Sequence, residues 1–356
     1  MSKVDYKRAL NDLIDILVDE KGSDIHLSVG SHPMVRVAGS LIPHVKMPVA
    51  SNEDVEGFGL VLMGDERFER FQKQQEMDFS YAHKDGIRFR GNAFIQKGGM
   101  SLALRHIPND IRTLEELDLP PILESFAQRP QGFFLCVGPV GQGKSTTLAS
   151  LIQIINTTRA DHIVTIEDPV EYIFEPDKAL IDQREVGVDT KDFRTALNSA
   201  FRQDVDVIMV GEMRNPETIA TAVTAAETGH LVLSTLHTNN AAQTIDRIID
   251  SFPGSQQDQI RVQLAGSLIG IFSQRLIPRI SGGMVPTYEL LINNSAVSNL
   301  IREQRTHEIQ TVIETGLEQG MIDMNRSLAD LVKKGEITVE NAFAYSINPK
   351  GLERLM

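Results

Sequence analysis

The sequence predicts an α/β fold: a mostly parallel sheet covered by helices, preceded by a small α+β domain and followed by a helical tail. Three observations predict it. Apolar runs at 133–137, 162–166, 206–210 and 231–235 alternate with helical patterns. Runs of Val, Ile and Leu without polar alternation mark strands buried on both faces, as in a parallel sheet between helix layers. Upstream, from Ser23 to about Ile107, the pattern is instead short alternating stretches such as 24–29, 34–37 and 87–95, broken by Gly and Pro. Residues 295–345 carry helical spacing.

In chain order, Tyr6, Leu10, Leu13 and Leu17 place an amphipathic helix over residues 5–20 with its stripe toward a core. Residues 1–107 form the first predicted domain. Pro108, Asn109 and Asp110, then Pro120 and Pro121, bracket a polar linker over 108–121. The core domain runs over 122–280. Asn215-Pro216-Glu217 offers a helix cap, a proline at the first helical position and a first-turn acid, and Asn240 caps 241–250. After Gln257 the spacing of Ile260, Leu264, Leu268 and Ile271 predicts one long helix. Ser281-Gly282-Gly283 turns a hairpin, opening a C-terminal region of 281–356.

Composition narrows the function classes. At 356 residues, 41% apolar and 23% charged, the chain is long enough for two ordinary globular cores. A net charge of −13 argues against a broad nucleic-acid-binding face, which needs a basic stripe. The single cysteine, Cys136, lies inside an apolar run; it excludes an intrachain disulfide or a multi-cysteine zinc site and fits a reducing compartment. The N-terminal stretch is charged throughout and lacks the apolar core of a signal peptide. No apolar run approaches membrane-spanning length, so a membrane connection is expected through a partner rather than by insertion.

The stretch organising the chain is Gly138-Pro139-Val140-Gly141-Gln142-Gly143-Lys144-Ser145, with Thr146 opening the helix that follows. A glycine, four residues, then Gly-Lys-Ser between a strand and a helix is a phosphate-binding loop. The glycines let backbone N–H groups converge on phosphate oxygens, and the helix N-terminus adds positive potential. Lys144 is placed for the β and γ phosphates and Ser145 for Mg²⁺.

Hydrolysis needs acids at neighbouring strand ends. Glu167, in Thr165-Ile166-Glu167-Asp168-Pro169, and Glu212, after Val207-Ile208-Met209-Val210-Gly211, both end apolar runs, where parallel sheets carry their sites. Gly211 stands where an Asp is usual before the Glu, so Glu212 is expected to reach Mg²⁺ indirectly or in a shared shell. His230 and His237 flank the run 231–235; His237 leads toward the nucleotide face, with buried polar packing as the other reading. Arg88 and Arg90 share one strand face, and Arg105 lies on a later strand; by themselves they read equally as solvated edge charges.

GPVGQGKSTT, TIEDPVEY, DVIMVGEMR and TGHLVLSTLHTN, in this order and spacing, resemble the Walker A, Asp box, Walker B and His box of the secretion and pilus-assembly ATPases. SDIHL and RFRGNAF extend the resemblance upstream, over nearly the whole chain. Within that superfamily the sequence looks like the type IV pilus retraction ATPase (PilT) branch, because AVSNLIRE at 296–303 is similar to that branch's AIRNLIRE. The length also fits, since extension ATPases carry an additional N-terminal region and commonly a four-cysteine zinc element. Three positions depart from the pattern: Gln142 for Ser or Thr, Val205 for Pro, and Ser298 for Arg.

The resemblance implies a homohexameric ring whose subunits have a PAS-like N-terminal and a RecA-like C-terminal domain, with ATP between them. It implies that Glu167 is the general base and Glu212 the Walker B acid, and that His230 and His237 link nucleotide to the subunit boundary. Arg88, Arg90 and Arg105 become arginines closing on the phosphates; Arg202, Arg214 and Arg247 become charge-neutralising or interface arginines. The expected function is a cytoplasmic Mg²⁺-dependent ATPase motor, peripheral at the inner membrane, acting on the platform protein of a pilus machine, with room for a second retraction ATPase and no nucleic acid. The alternatives are an extension or accessory ATPase and a nucleotide-gated assembly module with little turnover.

Overall fold

The computed structural model describes residues 3–37, 39–107 and 110–356. Pro108 and Asn109, assigned to the linker, lie outside the described residues. The chain divides into two compact units, the first Met1–Asn109 with Glu171–Ile173 and the second Asp110–Val170 with Phe174–Met356.

In the first unit, the predicted amphipathic helix is α1 (Lys3–Asp19), and its stripe, Tyr6, Leu10, Leu13 and Leu17, is 0–4% exposed. A second helix, α2 (Asn52–Gln74), is not evident among the short alternating stretches of the sequence. Ser51 starts it: its hydroxyl accepts from Asp54 N while the Asp54 carboxylate accepts from Ser51 N, a reciprocal cap. Both helices pack on an antiparallel sheet of β1 (Asp24–Ser28), β2 (Met34–Val37), β3 (Ser40–Pro43), β4 (Glu76–Ala82), β5 (Arg88–Gln96) and β6 (Gly99–Ile107), in the order β3-β2-β1-β6-β5-β4. Ile25, Leu27, Phe89, Leu102 and Leu104 from alternate strand positions join the α1 and α2 side chains in one core.

The second unit begins with short α3 (Glu124–Ala127) and carries a seven-stranded sheet in the order β13-β12-β7-β11-β10-β8-β9. Its strands are β7 (Gly132–Val137), β8 (His162–Glu167), β9 (Leu180–Glu185), β10 (Val207–Val210), β11 (Leu231–Leu236), β12 (Leu268–Pro278) and β13 (Met284–Ile292). All neighbours pair in parallel except β12 with β13, an antiparallel hairpin. The helices of this sheet are α4 (Lys144–Thr158), α5 (Phe193–Ala200), α6 (Pro216–Glu227), α7 (Ala241–Asp250) and α8 (Gly254–Ser267). Helices α9 (Ser295–Arg302), α10 (Ile309–Thr315), α11 (Met324–Lys333), α12 (Val339–Tyr345) and α13 (Pro349–Glu353) form the C-terminal region. The predicted class, an α/β core with a mostly parallel sheet, an α+β unit before it and helices after it, is the observed one.

One predicted element is corrected. The long helix after Gln257 stops at Ser267, and Leu268 and Ile271 belong to β12. Leu268 pairs with Phe133 and Ile271 with Leu135 of β7, and β13 covers the other edge. A short apolar run reads equally as buried helix or buried strand, and here two partner strands supply the ladder that decides it. Two of the departures from the family pattern are absorbed by packing. Val205 is 8% exposed in the main core, and the Ser298 hydroxyl donates to the Ala265 carbonyl at 2.8 Å, tying α9 to α8.

Candidate nucleotide site

Strand β7 is fully buried, so the chain leaves the sheet at Val137 and must reverse into α4 within the loop 138–143. Gly138, Gly141 and Gly143 make that turn with φ of 148°, 75° and 79°, values at which a Cβ is strained. A Cβ on Gly138 would also overlap the Gln274 carbonyl oxygen on β12. Gly143 caps α4 without a side chain, leaving the first-turn N–H groups to the loop's concave side. Pro139 and Val140 form the rim, Val140 being 80% exposed.

Lys144 is 7% exposed, and its ammonium donates to the Gly138 and Pro139 carbonyls at 2.8 Å each. It also stands 3.3 Å from His237 Nδ1, and His237 Nε2 lies 3.4 Å from Glu212 Oε1. The partners assign the tautomer: Lys144 only donates, so Nδ1 accepts and Nε2 carries its proton toward Glu212. Arg214 Nη2 contacts Glu212 Oε2 at 2.8 Å, and this guanidinium holds the Glu212 carboxyl below its ordinary range, with His237 and Lys144 adding to the effect. Glu212 therefore remains an anion facing the loop at neutral pH.

Glu167 closes β8, next to β10, and is 5% exposed. Its Oε1 accepts from Thr165 Oγ1 at 2.7 Å and from Gln183 Nε2 at 3.5 Å, which orients the carboxylate. A Cβ on Gly211 would lie 3.3 Å from the Ile166 carbonyl oxygen and 3.4 Å from Glu167 Cα, so a side chain there would be tight and need a shift of a few tenths of an ångström. Lys144, His237, Glu212 and Glu167 thus follow or end the adjacent strands β7, β11, β10 and β8, at their C-terminal ends. Chemically, this is a cationic cradle for a polyphosphate beside two carboxylates. The cradle itself fits such a group: its turn excludes side chains, its helix N-terminus is uncapped by any side chain, and its lysine already sits among oxygen acceptors.

Ser145 is half-buried in the first turn of α4, and Glu212 is the acid of the opposite wall. Among the described residues no group of three His, Cys, Asp or Glu side chains is placed to hold a metal ion. A metal here would need oxygens from the phosphates themselves. Thr146 follows in the same turn of α4. The Cys136 thiol, directly beneath, is pushed up to about 12 by burial and is inert packing.

The other predicted residues are distributed unevenly. Arg214 and Arg247 line a cavity of about 450 Å³ with Glu212, His237 and Asn239. His230 is at the opposite end of β11; its Nδ1 contacts the Ala225 carbonyl at 3.1 Å and its ring meets Phe201 edge-on. Arg202 is exposed in the turn beside that phenylalanine, so within one chain neither reaches the phosphate loop. Arg88, Arg90 and Arg105 belong to the first unit. Arg90 and Arg105 are cross-strand partners, and Arg105 Nε donates to Asp24 at 3.0 Å while remaining largely exposed.

Sequence patterns miss the contribution of β12. Gln274, 3% exposed, accepts from the Thr147 hydroxyl at 2.6 Å, and Leu276 N donates to the Gln142 side chain at 2.7 Å. Nothing local marks Gln274, because its role arises only when β12 pairs with β7.

A family model described as "Type II/IV secretion system protein" matches residues 5–312. The type IV pilus retraction ATPase PilT of Pseudomonas aeruginosa is 43% identical over 94% of this chain and 96% of its own length. A twitching motility protein of Neisseria gonorrhoeae is 46% identical over 87% of this chain and 83% of its own. A crystal structure of the pilus retraction motor PilT with bound ADP superposes with a TM-score of 0.91 at 44% identity, covering 96% of this chain and 98% of that one. With the strand-end acids, the glycine cradle and the four ordered motifs all in place, the chain belongs to the type II/IV secretion system protein family.

Proposed function

We propose that the chain is a Mg²⁺-dependent ATPase motor that powers retraction of a type IV pilus. The observation that carries this reading is the contact series Lys144, His237, Glu212, with Glu167 on the next strand, at the mouth of a phosphate loop. Lys144 and the loop amides bind the β and γ phosphates, and Ser145 with Glu212 holds Mg²⁺, Glu212 directly or through water. Glu167, oriented by Thr165 and Gln183, takes the proton of the attacking water. Phosphoryl transfer needs positive charge near the γ-phosphate, which Arg88, Arg90 and Arg105 of the first unit and Arg214 and Arg247 of the second supply in a homohexameric ring. Arg202 and His230, at the opposite ends of the strands from the phosphate loop, serve a subunit boundary. Names of relatives carry the pilus assignment: retraction ATPase and twitching motility protein.

No helix among the described residues is long and apolar enough to cross a membrane. In this reading the ring works in the cytoplasm, attached to the inner membrane through the platform protein of the pilus machine. In a turnover assay with Mg²⁺, Lys144→Ala abolishes both ATP binding and hydrolysis, whereas Glu167→Gln binds ATP and does not turn over. Full turnover by Glu167→Gln removes the assigned base. A deletion strain with excess pili and no twitching marks retraction; loss of pili marks extension instead.

A further inference from the structure

The segment from His237 to Asn240 carries the histidine that meets Lys144 and Glu212, yet it lies between β11 and α7 and belongs to neither. Its restraint comes from the β12–β13 hairpin. Ala241, the first residue of α7 and fully buried, donates its N–H to Glu289 Oε1 of β13 at 2.8 Å. Two residues earlier, Asn239 Oδ1 accepts from Arg275 Nη2 of β12 at 3.4 Å. Ser273 pairs with Glu289 and Arg275 with Thr287, so by the two-residue period both gripping side chains project from one face of the hairpin.

A first-turn helix N–H has no intrahelical partner, and at a buried Ala241 water does not supply one. Asn240 caps only the amide of Gln243. Glu289 is 2% exposed, in a core where an apolar residue would pack without desolvating a charge. Burial pushes its carboxyl up to about 7; Asp323 adds to the rise, while the Ala241 amide, the Ser273 hydroxyl and Arg275 oppose it. A costly acid whose oxygen meets the amide beginning a catalytic segment's helix is placed for that contact.

We propose that Glu289 is a positioning residue: by holding the first amide of α7 it sets the His237–Asn240 segment, and through it the contact of His237 with Lys144 and Glu212 that turnover requires. Glu289 touches neither the nucleotide nor the reacting atoms. Only the kinetic arm of the test rests on the ATPase reading.

The test uses the full chain as wild type, Glu289→Ala, Glu289→Gln and Ala241→Pro. Proline is tolerated at a first helical position and deletes the donor itself, so the contact is broken from either side. Hydrogen exchange of amides 238–242 becomes about tenfold faster in Glu289→Ala, and that of amides 238–240 and 242 does so in Ala241→Pro, which has no amide at 241, while α4 is unchanged; Glu289→Gln, which keeps an acceptor oxygen, restores protection. In turnover, Glu289→Ala lowers kcat about tenfold with KM for ATP within about twofold, and has no further effect on a His237→Ala background. Unchanged exchange in both variants, exchange that rises equally throughout the unit, or a loss of kcat that adds fully to that of His237→Ala overturns the proposal. Variants that show the exchange pattern beside a wild-type chain that does not hydrolyse ATP support the placement by Glu289 and refute the ATPase reading.

Discussion

Lys144 Nζ and His237 Nδ1 stand 3.3 Å apart, joining the phosphate loop after β7 to the end of the neighbouring strand β11. Because Glu212 occupies the other side of the imidazole, a change at the lysine is felt at the acid through a single ring.

Replacing His237 by Ala separates these two groups without removing the cradle. Lys144 keeps its two loop carbonyls, so ATP binding stays within a few-fold of wild type while kcat falls roughly 10–100-fold. Equilibrium binding of a non-hydrolysable ATP analogue, measured beside steady-state kinetics, separates the two effects.

Gly138→Ala tests the turn. The new Cβ would overlap a backbone oxygen of β12 at a φ of 148°, so the loop must move away from the strand. The expected cost is about 1–3 kcal/mol in stability, with ATP binding lost. Urea unfolding and nucleotide titration read these separately.

Gln274→Leu removes the nearer of two acceptors of the Thr147 hydroxyl, leaving the Gly143 carbonyl at 3.1 Å. Loss of one hydrogen bond, with the hydroxyl still able to turn to that carbonyl, costs about 0.5–1.5 kcal/mol, and removing both partners recovers much of it. The single variant is therefore less stable and binds ATP more weakly, whereas Gln274→Leu with Thr147→Val regains stability. Unfolding midpoints of the two single variants and the double variant form the cycle.

Glu289 makes stability depend on pH in a defined window. Its carboxyl, raised from 4.5 to about 7 chiefly by burial, keeps its proton in the folded chain between those values while the unfolded chain has lost it. The folded state therefore binds more protons there, and stability falls as pH rises from about 4.5 to 7. The contribution is on the order of 3 kcal/mol as an upper bound. In urea unfolding at pH 5 and pH 8, Glu289→Gln loses this part of the slope.

How much is legible in the chain differs by element. The phosphate loop, both strand-end acids and the helix α1 follow from local spacing: glycines admit the turn, apolar runs mark buried strands, and a helical stripe marks a core face. Helix α2 is hidden although Ser51 and Asp54 form its reciprocal cap, because its apolar stripe lies among residues that read as short strands. Leu268 and Ile271 look helical and are strand, because periodicity over a short apolar run does not discriminate between the two. His230 and His237 flank the same run, yet only His237 lies at the phosphate end, since the phosphate loop is at the C-terminal ends of the parallel strands and His230 precedes β11 at the other end.

The sequence by itself determined the chemistry available: a phosphate cradle with Lys144, two acids at strand ends, and a family. Tertiary structure alone decided which groups share a site and what holds them. Gln274 and Glu289 of the β12–β13 hairpin act on α4 and on α7 through hydrogen bonds that span 127 and 48 residues of chain. Their hydrogen bonds exist only once β12 has paired with β7 and β13, because a ladder between distant segments depends on the whole sheet and not on spacing within any one of them.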